Sequence, residues 1–370
     1  MQKITAYSRG RINIIGEHTD YNKGFVLPAA IDKKTVVTIS KNGTNSICNI
    51  TAENKNESHQ FDLKKYKSIK SGWQNYVMGV VHELEKLGGQ LKGFDAQFSG
   101  DVPIGSGMSS SAALECSFAF ALNELFELRF DKMQLIKAAQ MAEHNFVGIK
   151  CGIMDQFASM MGKKNQVILL DCRSLEYQYF PLELGNYQLL LLNTNVSHTL
   201  ADSAYNERRA QCEEGIQILK KQFDEINSLR DVTKEMLEER KSSMSPVVYN
   251  RCKHVVGENQ RVLAATNAMQ HGQLEELGEL IYASHHSLQN DYEVSCKELD
   301  FLVEETKDKP FILGSRMMGG GFGGCTINLI EKQFVQEYID WVATKYFDTF
   351  KIDLTPYEVS IEDGAGISSV

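Results

Sequence analysis

The chain has 370 residues, 42% of them hydrophobic and 24% charged, with a formal net charge of −9. That length outgrows a single core, so two domains of comparable size are expected with a ligand cleft between them. The acidic balance, with Lys and Arg dispersed and no interleaved aromatics, excludes a nucleic-acid footprint, and the hydrophobic content excludes disorder. The eight cysteines stand far apart, without a Cys-x-x-Cys pair or zinc spacing, which is the pattern of reduced cytosolic thiols. Residues 1–9 hold no apolar leader and no later run approaches about 18 apolar residues, so a cytoplasmic chain without membrane contact is expected.

Residues 11–22 read Arg-Ile-Asn-Ile-Ile-Gly-Glu-His-Thr-Asp-Tyr-Asn. An apolar strand carrying Ile12, Ile14 and Ile15 leads to Gly16, where the backbone can turn and leave Glu17, His18 and Asp20 facing a hydroxyl-rich ligand. A solvated turn would read similarly. Residues 34–40 and 94–99 are predicted strands, the second alternating strictly. Between them, residues 72–87 place Trp73, Tyr76, Val77, Val80, Val81, Leu84 and Leu87 at helical spacing, stopped by Gly88 and Gly89.

Residues 101–122 follow the alternating strand as Asp-Val-Pro-Ile-Gly-Ser-Gly-Met-Ser-Ser-Ser-Ala-Ala-Leu-Glu-Cys-Ser-Phe-Ala-Phe-Ala-Leu. Gly105 and Gly107 permit close backbone approach, the serines supply hydroxyls and an N-cap, and the helix from Ala112 offers its N-terminus to phosphate. There is no P-loop ending and no protein-kinase signature, so phosphoryl transfer needs its own route to Mg2+. Residues 131–146 form a further helix, with Asp131 and Gln134 spaced as a capping box.

Two apolar strands, at residues 166–172 and 187–196, flank a polar stretch with Pro181. The expected division falls there, into residues 1–181 and residues 182–370. Residues 205–300 are charged and mostly helical, interrupted at residues 242–246. The adjacent His285 and His286 point to different helix faces and are not expected to hold a metal. Residues 314–325 form a second glycine loop, with five glycines in the six positions 319–324. Such a loop is costly to order unless backbone packs on backbone or on a ligand. Residues 357–362 return to strand alternation, and the whole reads as α+β.

Three of these segments, residues 10–21, 103–113 and 314–325, resemble the signatures of the galactokinases, members of the GHMP family of small-molecule kinases. Residues 151–157, 171–176 and 287–300 are similar to further galactokinase segments. The resemblance implies a two-domain GHMP fold, mixed sheets covered by helices, with its active site in the interdomain cleft. It implies transfer of the γ-phosphoryl group of ATP to the 1-hydroxyl of α-D-galactose.

By the same resemblance Asp155 would act on the sugar hydroxyl and Arg11 on the phosphoryl group. Glu17, His18, Thr19, Asp20, Gly152, Asp155 and Tyr205 would hold the sugar, with Asp20 and Tyr205 reading the axial 4-hydroxyl. Gly105, Ser106, Gly107, Met108, Ser109, Ser110, Ser111 and Trp73 would hold ATP, and Ser111 with Glu143 would hold Mg2+. The family usually carries Ala-Pro-Gly-Arg where this chain has Ser8-Arg9-Gly10-Arg11, and Leu where it has Met108. A kinase for N-acetylgalactosamine or arabinose, or a non-catalytic sugar and ATP sensor, are the competing readings. A monomer is expected.

Overall fold

The isoleucine run of residues 12–15 is buried throughout because it ends a long strand that enters the space between two sheets. The computed structural model describes residues 3–196 and 201–368, with residues 201–203 as backbone alone. Its strands in chain order are β1 Lys3–Asn13, β2 Phe25–Val26, β3 Pro28–Lys41, β4 Ile47–Ala52, β5 Glu57–Asp62, β6 Phe94–Gly100, β7 Gln166–Asp171, β8 Tyr177–Pro181, β9 Tyr187–Asn193, β10 Ile312–Met317, β11 Cys325–Glu331, β12 Thr355–Glu358 and β13 Gly366–Ile367. The helices are α1 Gln74–Lys86, α2 Ser110–Leu125, α3 Lys132–Ala142, α4 Met154–Met161, α5 Ala201–Leu219, α6 Lys234–Glu239, α7 Pro246–Gln270, α8 Leu274–Ser287, α9 Lys297–Glu304 and α10 Val335–Phe350.

A six-stranded sheet has the order β13-β1-β3-β6-β4-β5, antiparallel except for the β4–β6 pair. A four-stranded antiparallel sheet, β10-β11-β9-β12, carries the second half, and β2-β7-β8 forms a small third sheet. Helices and largely antiparallel strands make the α+β architecture the alternation pattern predicts. Helices α1 to α4 pack on the first sheet around Val77, Phe118, Leu122 and Ile136. A second core joins the halves, with Ile12, Ile14 and Ile15 meeting Val262 and Ala265 of α7, Leu277 of α8, and Leu191 and Ile327 of the second sheet. Among the described residues no helix is long and apolar enough to cross a membrane.

Several local expectations are met for the stated physical reasons. Asp131 and Gln134 form a capping box that starts α3. The interruption at residues 242–246 is where Ser245 caps α7 by accepting from Val248 N–H, with Pro246 in the first turn. Two expectations shift. The helix over residues 131–146 is α-helical only to Ala142 and then widens into a π-helical turn, Glu143–Val147. The strand over residues 357–362 starts earlier, at Thr355, and stops at Glu358; beyond it only an isolated bridge joins Ile361 to Ile31.

Candidate active site

The glycine loop after β6 delivers the first turn of α2 to a cleft of about 430 Å³ lined by Thr35, Trp73, Tyr76, Pro103, Ser110 and Ser111. Ser109 stands at the cap position in the left-handed region, φ 59°, yet its side chain does not cap the helix. Its hydroxyl donates instead to Oδ2 of Asp155. A left-handed serine costs about 1–3 kcal/mol and persists where surrounding contacts hold it. The N–H groups at the head of α2 are thereby left without a side-chain cap, the condition in which a helix end attracts phosphate. Gly105 faces open space, while the Ser106 hydroxyl is buried and donates to Pro103 O at 2.7 Å, and Met108 is fully buried. These last two side chains support the loop from beneath. Trp73 lines the cleft, its ring edge-on to Phe98 at 5.1 Å and its indole N–H donated to Glu57 at 2.7 Å.

Arg11 leaves the end of β1 just past a bulge at Gly10 and is 3% exposed. It meets Asp155, in the first turn of α4, through two parallel bonds of 2.8 and 2.9 Å. Its remaining nitrogen donates to Gly107 O, and its N–H donates to Met108 O at 3.0 Å. Burial alone would lower its proton affinity, but Asp155 and Glu17 outweigh that and push it up. This planar fork therefore ties the sugar signature, the glycine loop and α4 into one unit.

Beside this pair lies a pocket of about 150 Å³, lined by Arg11, Glu17, His18, Asp20, Glu143, Cys151, Gly152, Asp155, Tyr205, Gly319 and Gly320. Each acidic group has a distinct support. Glu17 is buried and accepts from Gly319 N–H at 2.8 Å and from Arg316, itself fully buried, at 3.1 Å. Asp20 accepts from Tyr21 N–H at 2.9 Å. Burial, then the charge of Asp155, pushes its pKa up to about 7, and Arg11 only partly offsets that. A Cβ on Gly152 would stand 1.9 Å from Asp20 Oδ2, so only glycine permits this approach. His18 has its pKa lowered to about 3 by burial first and His254 second, and so is neutral. Its Nδ1 pairs with the Tyr21 hydroxyl at 2.8 Å, and Nε2 lies against the backbone at Gly320 without a well-formed hydrogen bond. The Tyr205 ring stands 5.4 Å from that of His18.

Thr19 is buried, and its hydroxyl lies 2.9 Å from Gly16 O and 2.6 Å from Phe25 O, closing the loop on itself. Glu143 lines the small pocket from the π-helical turn, whereas Ser111 lines the larger cleft. Among the described residues no group of three or more His, Cys, Asp or Glu could hold a metal by itself. His285 is paired with Asp300 at 3.4 Å and accepts from Met317 N–H at 3.2 Å, both supporting contacts.

Gly319, Gly321 and Gly324 serve backbone-on-backbone packing. A Cβ on Gly319 would meet Gly107 at 3.1 Å, one on Gly324 would meet Ser106 at 3.1 Å, and one on Gly321 would meet Val294 O at 2.2 Å. The third segment thus lies directly on the nucleotide-type loop. Arg9, the departure from the usual proline, donates to Asp363 O at 2.6 Å and Asp32 O at 2.9 Å, outside the pocket. Arg316 escapes a sequence reading because an arginine beside glycines looks like a solvated loop cation; its only signal is its place inside an apolar strand.

An anion-ready helix end, a part-buried Arg–carboxylate pair and a polar pocket beside it, on a fold of one mixed and one antiparallel sheet, define a small-molecule kinase of the GHMP class. Family models match in register: the galactokinase galactose-binding signature over residues 2–41, the GHMP kinases N terminal domain over residues 75–163 and the GHMP kinases C terminal over residues 265–338. A galactokinase of Thermotoga neapolitana is 43% identical over 355 residues, 96% of this chain and 97% of its own, and one of Clostridium acetobutylicum is 42% identical over 97% and 93%. The crystal structure of Lactococcus lactis galactokinase complexed with galactose superposes with a TM-score of 0.95 at 35% identity, covering 99% of this chain and 95% of that one. The Methanococcus jannaschii mevalonate kinase shares the fold alone, with a TM-score of 0.65 and 17% identity over 98% of each chain. The chain belongs to the galactokinases.

Proposed function

We propose that this enzyme transfers the γ-phosphoryl group of ATP to the 1-hydroxyl of α-D-galactose, giving galactose 1-phosphate and ADP. The observation that carries the reading is the Arg11–Asp155 pair, held at 2.8 and 2.9 Å between the small polar pocket and the glycine loop. The sugar occupies the small pocket, which is well below the roughly 300–1,000 Å³ of larger ligand sites. ATP lies in the larger cleft with Trp73 and its phosphates at the head of α2.

Asp155 accepts from Arg11 and Ser109 and keeps lone pairs for the sugar hydroxyl, which it orients for in-line attack. A loose phosphoryl-transfer transition state asks little more of the base, and Arg11 bears on the charge developing at the transferring group. Asp20 and Tyr205 read the 4-hydroxyl, and Glu17 and His18 complete the sugar contacts. A wrong epimer would leave buried polar groups unpaired.

Ser111 and Glu143 would hold Mg2+, with phosphate oxygens and water completing a hard oxygen shell. The donor chemistry fits that ion: Glu143 offers a carboxylate from the small pocket and Ser111 a hydroxyl from the neighbouring cleft, both oxygen ligands of the kind Mg2+ takes. When bound, Mg2+ would neutralise charge on the phosphates. Residues 1–181 and 182–370 serve as the two domains of a cytoplasmic monomer, in keeping with eight free cysteines.

A coupled ADP-release assay over galactose, 2-deoxygalactose, N-acetylgalactosamine, glucose and arabinose tests the reading. Galactose is expected to give the highest kcat/KM. Best turnover on another sugar would reassign the enzyme within its class, and saturable sugar and ATP binding without any ADP release would make it a sensor.

A further inference from the structure

The second half of the chain reaches the sugar signature through one face of α7. Four side chains on that face, His254, Glu258, Asn259 and Val262, follow one another at helical spacing and meet residues 16–25. Glu258 Oε1 accepts from Gly16 N–H at 2.9 Å, and His254 Nε2 donates to Glu17 O at 3.1 Å. Glu17 is therefore gripped on both sides, at the N–H of the residue before it and at its own carbonyl. Asn259 accepts from Phe25 N–H at 2.8 Å, and a Cβ on Gly16 would stand 2.9 Å from Val262 Cγ2.

Both gripping side chains are fully buried, and each is oriented from behind by α8 or its own helix. The Ser284 hydroxyl donates to Glu258 at 2.6 Å, and Arg261 pairs with its other oxygen at 2.6 Å. The Ser287 hydroxyl lies 3.0 Å from His254 Nδ1 and 3.0 Å from Asp291, one proton facing two acceptors. Because Glu17 O can only accept, His254 must carry its proton on Nε2.

We infer that His254 and Glu258 are positioning residues for sugar binding: they fix residues 16 and 17 from the opposite half of the chain and so aim the Glu17 carboxylate into the pocket. The inference rests on the reading of that pocket as the galactose site. It assigns a purpose to two charged or polar groups that would otherwise be costly to bury. It also gives a role to residues 287–300, whose sequence is galactokinase-like: Ser287 holds the histidine, and the Tyr292 ring lies 4.6 Å from that of His254 and 4.9 Å from that of His18, while its hydroxyl bonds that of Tyr21 at 2.8 Å.

The test compares His254→Leu, His254→Gln and Glu258→Gln with the parent enzyme. A glutamine at 254 can return a donor to the Nε2 position, whereas leucine leaves Glu17 O buried and unpaired. His254→Leu is expected to raise the KM for galactose roughly tenfold or more and to leave the KM for ATP within about twofold, with His254→Gln recovering most of the loss. Hydrogen exchange in the sugar-free protein should quicken over residues 14–25 in His254→Leu and Glu258→Gln and stay unchanged over residues 103–111. An unaltered galactose KM in His254→Leu, an equal rise in both KM values, or parental exchange over residues 14–25 would each overturn the inference. The exchange measurement needs no sugar, so it decides the clamp even where the unaltered enzyme is found to turn over a different substrate.

Discussion

Replacing Gly152 by alanine isolates the placement of a single carboxylate. The added Cβ would stand 1.9 Å from Oδ2 and 2.1 Å from Cγ of Asp20. Moving Oδ2 from 1.9 Å to the 3.4 Å of ordinary contact is a retreat of about 1.5 Å, and a misplacement of about 1 Å is enough to cost roughly 100-fold in rate. Gly152 carries no left-handed φ, so the backbone itself accepts alanine and the fold should survive. The expected outcome is a fall of about 100-fold in kcat/KM for galactose, mostly through KM, with the preference for galactose over glucose largely lost. Parallel ADP-release assays on the two sugars, with a melting curve as control, measure it. In a protein already carrying Asp20→Ala the same substitution should add little, because the two changes act on one contact. A variant that keeps kcat/KM within about threefold of the parent, with its preference intact, would refute the placement of Asp20 at the sugar.

Further outcomes follow from the same geometry. With the Asp20 pKa raised to about 7 by burial and then by Asp155 and Glu17, partly offset by Arg11, galactose kcat/KM should climb as pH rises through about 7; Asp20→Asn should flatten that limb. The stability sign is opposite: a folded pKa above the unfolded value of 3.8 contributes stability at low pH that is lost as pH rises through about 7. Asp20→Asn should therefore gain stability over the parent most clearly above that pH, as read by denaturant midpoints. Arg11→Ala should lose roughly 10³- to 10⁵-fold in kcat and Asp155→Ala roughly 10²- to 10⁴-fold, while calorimetry still detects galactose binding; unchanged turnover in either would refute the assigned roles. Gly321→Ala must place a Cβ 2.2 Å from Val294 O at φ +84°, so its melting temperature should drop by several degrees, about 1–3 kcal/mol of stability, and a parental melting curve would count against the packing described.

Residues whose periodicity or spacing is local were legible in the sequence. The α3 capping box, the Ser245 and Pro246 start of α7 and the alternation of β6 all follow from neighbours within one or two turns. Arg11, Asp20 and Asp155, singled out by family likeness, are brought together around one pocket. What stayed hidden depends on distant partners. Ser109 reads as a cap until Asp155, 46 positions away, takes its hydroxyl. The hydroxyl of Thr19 finds Phe25 O, six positions on, only when the loop closes. His254 and Glu258 sit in a charged helical stretch that looks solvated, and only the approach of residues 16 and 17, more than two hundred positions earlier, reveals them as buried. Glu143 reads as part of a regular helix, because nothing in local propensity announces a π-helical turn.

The strand that carries Arg11 also lies between β3 and β13, and residues 360–368 run back past both: Asp32 N–H of β3 donates to Ser360 O at 2.9 Å, while on β1 Ser368 N–H donates to Thr5 O at 2.8 Å and Arg9 reaches Asp363 O. The partners of Ala6 and Tyr7 on that edge, Ile367 and Gly366, thus stand more than three hundred and fifty positions further along the chain. Until that later segment docks, the edge at Ala6 and Tyr7 is open to wrong pairings. Loss of a few residues near position 366 would strike at solubility and yield while leaving every group that touches the sugar in place.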